Sequence, residues 1–364
     1  MKKVIVALCA LAMLGLVACH KDEEATQQPG GETPVTPTPT PTPTPPATNQ
    51  EGVYNPGAHI VTISVNDTAR EQWSWTDGRL VSVTDGTSSS EKMHYTYDDN
   101  GRISSITLNA TGAMSGDLGV TYSGDYISSM NMVSGGTQLV AMQVSHNSAN
   151  KVSSALLTLE DNLLLDIFNS VISQFTGGGD GDDFVTGIDS TSASVAFSWN
   201  GDNVRTAIIN VKARLATTLG QIGSLIDDFS IFGSYGSTLQ ALVTYMPDKP
   251  VYLRVAMADT VAYTYDDHVN PFRHNLGRLI PSDMSISVDV SALSANNATS
   301  EMHSAGATLD VLIALMGSTP TQVYNTDYPL DVRNNNYRYD YNDAGYPVSV
   351  TDQEANVKTY TYQQ

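Results

Sequence analysis

The residue types that carry most enzyme chemistry occur in this 364-residue chain, but none of them forms a catalytic motif. The chain has no Gly-x-Ser-x-Gly elbow, no His-Glu-x-x-His helix, no Gly-Lys-Ser/Thr phosphate loop and no Cys-x-x-Cys pair. Two of its 38 Asp and Glu residues could form a glycosidase carboxylate pair, because the separation of such a pair is set in three dimensions and not by a sequence motif. The sequence therefore favours a non-enzymatic protein without a cofactor, with a glycan-degrading hydrolase as the alternative.

One acidic stretch could bind a cation. Asp180, Asp182 and Asp183 alternate with glycines near residue 180, and their carboxylate oxygens are the ligands that calcium prefers. The regular calcium-loop spacing with a distal glutamate is absent. A solvated acidic surface loop is the favoured interpretation, and a calcium site is the alternative.

Three tryptophans could bind sugars. Flat aromatic rings stack on the apolar faces of pyranoses, so Trp73, Trp75 and Trp199 could form a glycan platform. Each of them also belongs to a repeated strand pattern, in which aromatic residues pack across neighbouring strands. Cross-strand packing is the favoured role, and glycan stacking stays open.

The N-terminus predicts export and lipidation. Lys2 and Lys3 precede an apolar run that is too short to span a membrane as a helix, so residues 1–18 are predicted to be a signal peptide. The run ends in Leu-Val-Ala-Cys19, which resembles the lipobox of bacterial lipoproteins. That resemblance implies cleavage before Cys19 and attachment of acyl chains such as palmitate to its thiol, which would hold the protein on a membrane.

The residues after Cys19 resemble a surface-export signal. Lys21 is followed by Asp22, Glu23 and Glu24, as in surface lipoproteins of gut Gram-negative anaerobes. The resemblance implies a lipid-anchored location on the outer membrane, exposed at the cell surface. An ordinary solvated charge cluster is the alternative.

A Pro/Thr stalk separates the anchor from the body. Residues 19–51 contain repeated Thr-Pro pairs that favour polyproline II, and residues 52–364 form the predicted β-rich body. Without Lys2 and Lys3, the chain keeps 16 Lys and Arg against 38 Asp and Glu. This strongly acidic balance disfavours nucleic-acid partners, because it repels their phosphates.

The body repeats one local pattern: two aromatic residues separated by a single position, then a turn rich in Asp, Asn and Gly, then an apolar strand. Residues two apart in a strand share a face, so each copy predicts a β-hairpin. The copies begin at Trp73, Tyr95, Phe197, Tyr263 and Tyr339. The predicted fold is all-β and mainly antiparallel, a curved meander or barrel-like sheet with a few inserted helices. Helical spacing predicts those helices over 160–175, 219–229 and 305–316.

The copy from Tyr95 to Arg102 resembles the YD repeats of Rhs-type shell proteins. Together with the lipobox and the stalk, the chain resembles a family of gut-anaerobe surface lipoproteins of unknown function with a porin-like, curved β fold. Asp-Thr-aliphatic triplets at Thr68 and Thr260 also resemble the O-glycosylation acceptors of such bacteria. The family resemblance implies a fold and contributes no catalytic residues.

These observations predict a surface lipoprotein that binds a glycan, an apolar ligand or an outer-membrane protein partner. A structural or assembly lipoprotein of an outer-membrane complex is a further alternative. No nucleic-acid partner is expected.

Overall fold

The computed structural model describes residues 50–109, 115–161, 165, 169, 184–225, 229–279, 289–314 and 319–363. Within them, 17 strands form one sheet. The signal peptide, Cys19, the export signal, the stalk up to residue 49 and the calcium candidates Asp180, Asp182 and Asp183 lie outside these residues and stay predictions.

The strands run almost the whole length of the described chain. They are β1 (Ile60–Val65), β2 (Thr68–Thr76), β3 (Arg79–Asp85), β4 (Glu91–Tyr97), β5 (Ile103–Leu108), β6 (Gly116–Ser123), β7 (Tyr126–Ser134), β8 (Thr137–His146), β9 (Val152–Leu159), β10 (Gly187–Asn200), β11 (Asn203–Thr218), β12 (Pro250–Val269), β13 (Asn296–Ile313), β14 (Thr321–Asn336), β15 (Arg338–Tyr341), β16 (Pro347–Thr351) and β17 (Val357–Tyr362). Two α-helices, α1 (Leu219–Leu225) and α2 (Gly236–Tyr245), and three short 3-10 turns, Phe229–Tyr235, Leu276–Leu279 and Val290–Ala292, complete the described elements. The prediction of a mainly antiparallel β fold with a few helices is confirmed.

Sequence neighbours pair along the sheet from β1 to β14 and from β15 to β17, and β17 pairs with β1. The two ends of this ladder, β14 and β15, are separated only by Tyr337. Exposure alternates regularly through this point, with Arg333, Asn335, Tyr337 and Tyr339 half-buried and the residues between them exposed. This alternation is that of one continuous strand, which pairs with β13 through β14 and with β16 through β15.

Strand length divides the sheet into two parts. Strands β10 to β14 have 14 to 20 residues, whereas the others have 4 to 10. The inner face of the long strands packs against α1 and α2, which contribute Leu219, Ile222 and Leu239 to an apolar core. The short strands enclose a second core, which Phe272 and Leu276 of the β12–β13 connection enter.

The repeated aromatic pairs have a common structural role. In three of the five predicted pairs, and at two equivalent tyrosines, the second aromatic donates a hydrogen bond to a backbone carbonyl at the start of the preceding strand. These bonds, each 2.7 Å long, join Trp75 to Ile60, Tyr97 to Leu80, Tyr122 to Ile103, Trp199 to Val152 and Tyr362 to Pro347. The first four donors directly follow a β-bulge, which re-aims the side chain toward that carbonyl. These hydrogen bonds therefore connect each of the five strands to the strand that precedes it.

Four of the five predicted hairpin turns are confirmed. Each has a glycine in the left-handed region, where a side chain would be strained. The glycines and their φ angles are Gly78 at 75°, Gly101 at 77°, Gly201 at 57° and Gly345 at 78°.

The hairpin predicted after Tyr263 and Tyr265 is wrong. Strand β12 runs on through Asp266 and Asp267 to Val269, and the chain returns only at β13. No glycine follows the aspartates here. Asp266 instead accepts hydrogen bonds from the backbone amides of His268 and Asn297, which holds the strand end to β13.

The helix predicted over 305–316 is also wrong, because residues up to Ile313 belong to β13. Leu309, Val311 and Ile313 are two apart and all face the core. The helix predicted over 219–229 is confirmed as α1 for its first seven residues. Of the segment 160–175, Asp161, Leu165 and Asn169 are helical and most other residues lie outside the described part.

Candidate functional site

Charged side chains lie on the inner face of the sheet, where an all-β core is otherwise apolar. They form two groups, which we name the His303 cluster and the Arg278 cluster. The His303 cluster comprises Asp259, Glu301, His303, Asn335 and Tyr337, and the Arg278 cluster comprises Glu71, Arg278, Asp289 and Lys358.

The register of β12, β13 and β14 builds the His303 cluster. His303 lies opposite Val261, and Glu301 lies opposite Tyr263 on one side and Asn335 on the other. His303 Nδ1 lies 2.8 Å from Asp259 Oδ2, and His303 Nε2 lies 3.9 Å from Glu301 Oε2. The imidazole is therefore held between two carboxylates.

Further hydrogen bonds hold Glu301 in place. Its Oε2 accepts one from the Tyr337 hydroxyl at 3.0 Å and one from Asn335 Nδ2 at 3.4 Å. The pKa of the Glu301 carboxyl is lowered: burial alone would raise it, but the hydrogen bonds from His303, Tyr337 and Asn335 outweigh that effect.

The hydrogen bond to Asp259 and the nearby Glu301 carboxylate raise the pKa of His303 to about 9. At neutral pH the imidazole is therefore a cation between two anions, and its Nδ1 donates to Asp259. The imidazolium of the His303 cluster therefore has an acceptor at 2.8 Å, although Asp259 Oδ1 is buried without a partner among the described residues.

The Arg278 cluster brings together the first part of the sheet and the β12–β13 connection. Arg278 ends the 3-10 turn Leu276–Leu279, and its guanidinium lies 4.5 Å from the centroid of the Phe272 ring. Its Nη1 is 3.5 Å from Glu71 Oε1 of β2, and its Nε is 3.6 Å from Asp289 Oδ2. Both distances exceed those of ordinary N–H···O hydrogen bonds.

Lys358 is the second cation of this cluster. It lies in β17 between Val65 of β1 and Val350 of β16. Burial, and then the like charge of Arg278, lower the pKa of its ammonium group. Within the described part of the chain, neither its ammonium nor the Arg278 guanidinium donates a hydrogen bond within ordinary distance, and Arg278 Nε is buried without a partner.

The two clusters share three tyrosine neighbours. Burial raises the pKa of Tyr263, Tyr265 and Tyr337, and the charges of Glu301 and Asp289 raise it further, in the case of Tyr265 to about 12. Carboxylates of both clusters thus act on the same hydroxyl groups. We refer to the two clusters together as the interior polar layer.

This layer is not fully packed. The Glu301 side chain keeps 28% of its surface accessible, that of Glu71 25%, and that of Arg278 20%. Part of each of these charged side chains is therefore accessible to solvent or to a ligand. The apolar cores on either side, by contrast, contain side chains such as Leu253 and Ile106 that have no exposed surface.

The sequence-predicted tryptophans are placed as follows. Trp73 is buried in the core of the short strands, with its Nε1 donating to Glu71 Oε2 at 2.8 Å. Trp75 is half-buried and stacks on His59, with ring centroids 4.2 Å apart. Trp199 lies in β10 beneath the Lys151 ammonium, 5.3 Å from the ring centroid. The structure brings Trp73 and Trp75 together, 6.3 Å apart, and places Trp199 in another hairpin.

The two glycosylation candidates differ in surroundings. Thr68 is exposed where β2 begins, directly after the β1–β2 turn. Thr260 is half-buried in the middle of β12, between Ile208 and Ser304. Modification of either residue stays a prediction.

Neither polar cluster was predicted from the sequence. Their members come from β2, β12, β13, β14, β17, Tyr337 and the β12–β13 connection, and the strand register together with that connection brings them together. One local signal was present: the inward positions of β12 read Val251, Leu253, Val255, Met257 and then Asp259, a carboxylate in an apolar series.

No group of three or more His, Cys, Asp or Glu side chains in the described residues is arranged to bind a metal ion. No helix there is long and apolar enough to cross a membrane.

Comparison with known proteins gives little. No protein-family model matches this chain, and no curated protein matches it. A crystal structure of a porin-like protein from Bacteroides vulgatus ATCC 8482 matches at 11% identity, with 84% of this chain and 99% of that chain covered and a TM-score of 0.27. The fold assignment therefore rests on the strand pairing of this chain itself.

Proposed function

We propose that this protein is a lipid-anchored cell-surface binding protein that takes up a small sugar in its interior polar layer and catalyses no reaction. The observation that carries the proposal is the accessible polar layer between two filled apolar cores. A domain that needed only stability would fill this layer with apolar side chains, as it does on both sides, because buried charges are costly.

The chemistry of the layer suits a sugar. Sugar hydroxyls donate to carboxylates and accept from guanidinium, ammonium and imidazolium groups, and the layer contains all of these. Tyr263, Tyr337 and Tyr339 line the same inner face, and tyrosine rings can pack on the C–H faces of pyranoses. A few polar groups among aromatic rings are typical of small-molecule sites.

The protonation states favour binding over hydrolysis. A glycosidase needs one carboxylic acid with a raised pKa to protonate the leaving oxygen. The pKa of Glu301 is lowered instead, because His303, Tyr337 and Asn335 stabilise its ionised form. A carboxylate held in this way serves as a hydrogen-bond acceptor for a ligand.

The proposed anchoring accords with how the N-terminal segment joins the body. The Glu51 carboxylate accepts hydrogen bonds from His146 Nε2 at 3.0 Å and from the Ile127 amide at 2.8 Å. The buried Tyr54 hydroxyl donates to the Pro271 carbonyl at 2.9 Å. A polyproline stalk before this attachment would hold the body roughly 45 Å from a membrane, at about 3.1 Å per residue.

Calorimetric titration of the full-length chain in detergent with a panel of neutral and acidic mono- and disaccharides tests the proposal. At least one sugar is expected to bind saturably, and Glu301→Gln to weaken it roughly tenfold through the loss of a charged acceptor. Glu91→Gln, the same change on an exposed residue of β4, is the control and should bind normally.

Absence of saturable binding across the panel would overturn the proposal. If Glu301→Gln and Glu91→Gln weakened sugar binding equally, the interior polar layer would not be the binding site.

A further inference from the structure

The Arg278 cluster contains more hydrogen-bond donors than acceptors. The Arg278 guanidinium carries five N–H groups and the Lys358 ammonium three. Among the described residues, no acceptor lies within ordinary hydrogen-bond distance of either group. Buried polar groups almost always have a hydrogen-bond partner, so the buried Arg278 Nε, which has none among the described residues, calls for an explanation.

The carboxylates of the cluster do not fill this role. Glu71 Oε2 already accepts the Trp73 indole N–H, and Glu71 Oε1 stays 3.5 Å from Arg278. Asp289 is 3.6 Å from the guanidinium. These acids balance the charge of the cations without accepting short hydrogen bonds from them, and Arg278 Nε is left without an acceptor among the described residues.

The surrounding scaffold fixes both cations. Arg278 is held against the Phe272 ring, and Lys358 lies in a paired strand between Val65 and Val350. Preorganised donors of this kind bind a ligand without losing much conformational entropy. Arg and Lys together recognise oxyanions, whose several oxygens accept charge-assisted hydrogen bonds.

We propose that Arg278 and Lys358 form an oxyanion subsite of the interior polar layer, which binds the carboxylate or sulfate group of an acidic sugar. This inference deepens the proposed sugar binding by naming its charged class. The subsite itself needs only the two cations, so it can be tested with a free anion.

Three probes separate the sources of an oxyanion. The full-length chain in detergent is titrated with glucuronate, with inorganic sulfate and with glucose, and tryptophan fluorescence is followed. Trp73 reports on the subsite because its indole bonds to Glu71, which faces Arg278. Glucuronate and sulfate are expected to change the fluorescence saturably, and a larger affinity for glucuronate would assign the carboxylate of a sugar as the ligand.

Lys358→Met tests the residue. It removes the charge and keeps an apolar side chain. The affinities for glucuronate and sulfate are expected to fall roughly tenfold through the loss of one charge-assisted contact. Lys212→Met, the same change on the exposed outer face of β11, is the matched control and should leave both affinities unchanged. Arg278→Lys, which keeps the charge and loses the planar fork, should weaken both anions less than Lys358→Met does.

A saturable response that is equal in wild type, Lys358→Met and Lys212→Met would overturn the subsite. So would the absence of any response to both anions. If a neutral sugar still bound in a manner sensitive to Glu301→Gln, the proposed function would stand and only the oxyanion subsite would fall.

Discussion

The two clusters, which form the two halves of the interior polar layer, differ in how their cations are paired with hydrogen-bond acceptors. In the His303 cluster, a cation lies between two carboxylates, and Tyr337 and Asn335 donate to one of them. In the Arg278 cluster, two cations lie among carboxylates that do not come within short hydrogen-bond distance. The cation of the His303 cluster is thus satisfied and Arg278 Nε of the other cluster is not, although Asp259 Oδ1 is also buried without a partner among the described residues.

Removing an anion from the satisfied half should have the largest effect on stability. Asp259→Ala leaves the His303 imidazolium in a buried site with only the more distant Glu301, and the free energy of unfolding is expected to fall by about 3 kcal/mol. Urea denaturation followed by circular dichroism measures it. Asp340→Ala on the exposed face of β15 is the control, with a change below about 1 kcal/mol.

A loss of stability with Asp259→Ala no larger than that with Asp340→Ala would mean that the His303 cluster does not contribute to the fold.

The second prediction concerns pH. The folded pKa of His303 is about 9, above its ordinary value of 6.5, so the stability from this charge is fully present below pH 6.5 and is lost as the pH rises through 9. Between about pH 6.5 and pH 9, the free energy of unfolding of the wild type is therefore expected to fall more than that of His303→Gln. The difference between the two denaturation curves isolates His303 from Lys358 and the tyrosines; parallel curves would contradict the prediction.

The smallest effect is expected in the unsatisfied half, and with the opposite sign. Lys358→Met replaces a buried cation that has no hydrogen bond to a described residue by an apolar side chain in an apolar register position, and should raise the free energy of unfolding by about 1 kcal/mol. The measurement is made without added anion. With glucuronate present, the wild type should gain stability and the variant should not. If Lys358→Met lowered the free energy of unfolding without added anion, the Arg278 cluster would stabilise the fold as the His303 cluster does.

The hairpins could be predicted because their signals are local. An Asp or Asn with a glycine allows the left-handed turn, and an aromatic two positions from another marks the strand before it. Where the glycine was missing, after Asp266 and Asp267, the same signal failed and the strand continued. In β13, Leu309, Val311, Leu312 and Ile313 satisfy both helical and strand spacing, and only pairing with β12 and β14 decides between them.

The polar layer could not be predicted in this way. Glu71 and Lys358 are separated by most of the described chain and become neighbours because β17 and β2 both flank β1. No local pattern encodes such a distance in sequence. The inward position of Asp259 in an apolar series indicates a buried polar site. Its pairing with His303, however, depends on the register of β12 against β13.

The pairing of β1 with β17 also has a consequence for how the protein is made. Ile60 lies opposite Tyr362, so the first described strand acquires its second neighbour only when the last one arrives. Contacts between residues so far apart in sequence slow folding, because a long loop must close before they form. A chain synthesised from its N-terminal end would therefore keep β1 without its second neighbour until β17 has been made.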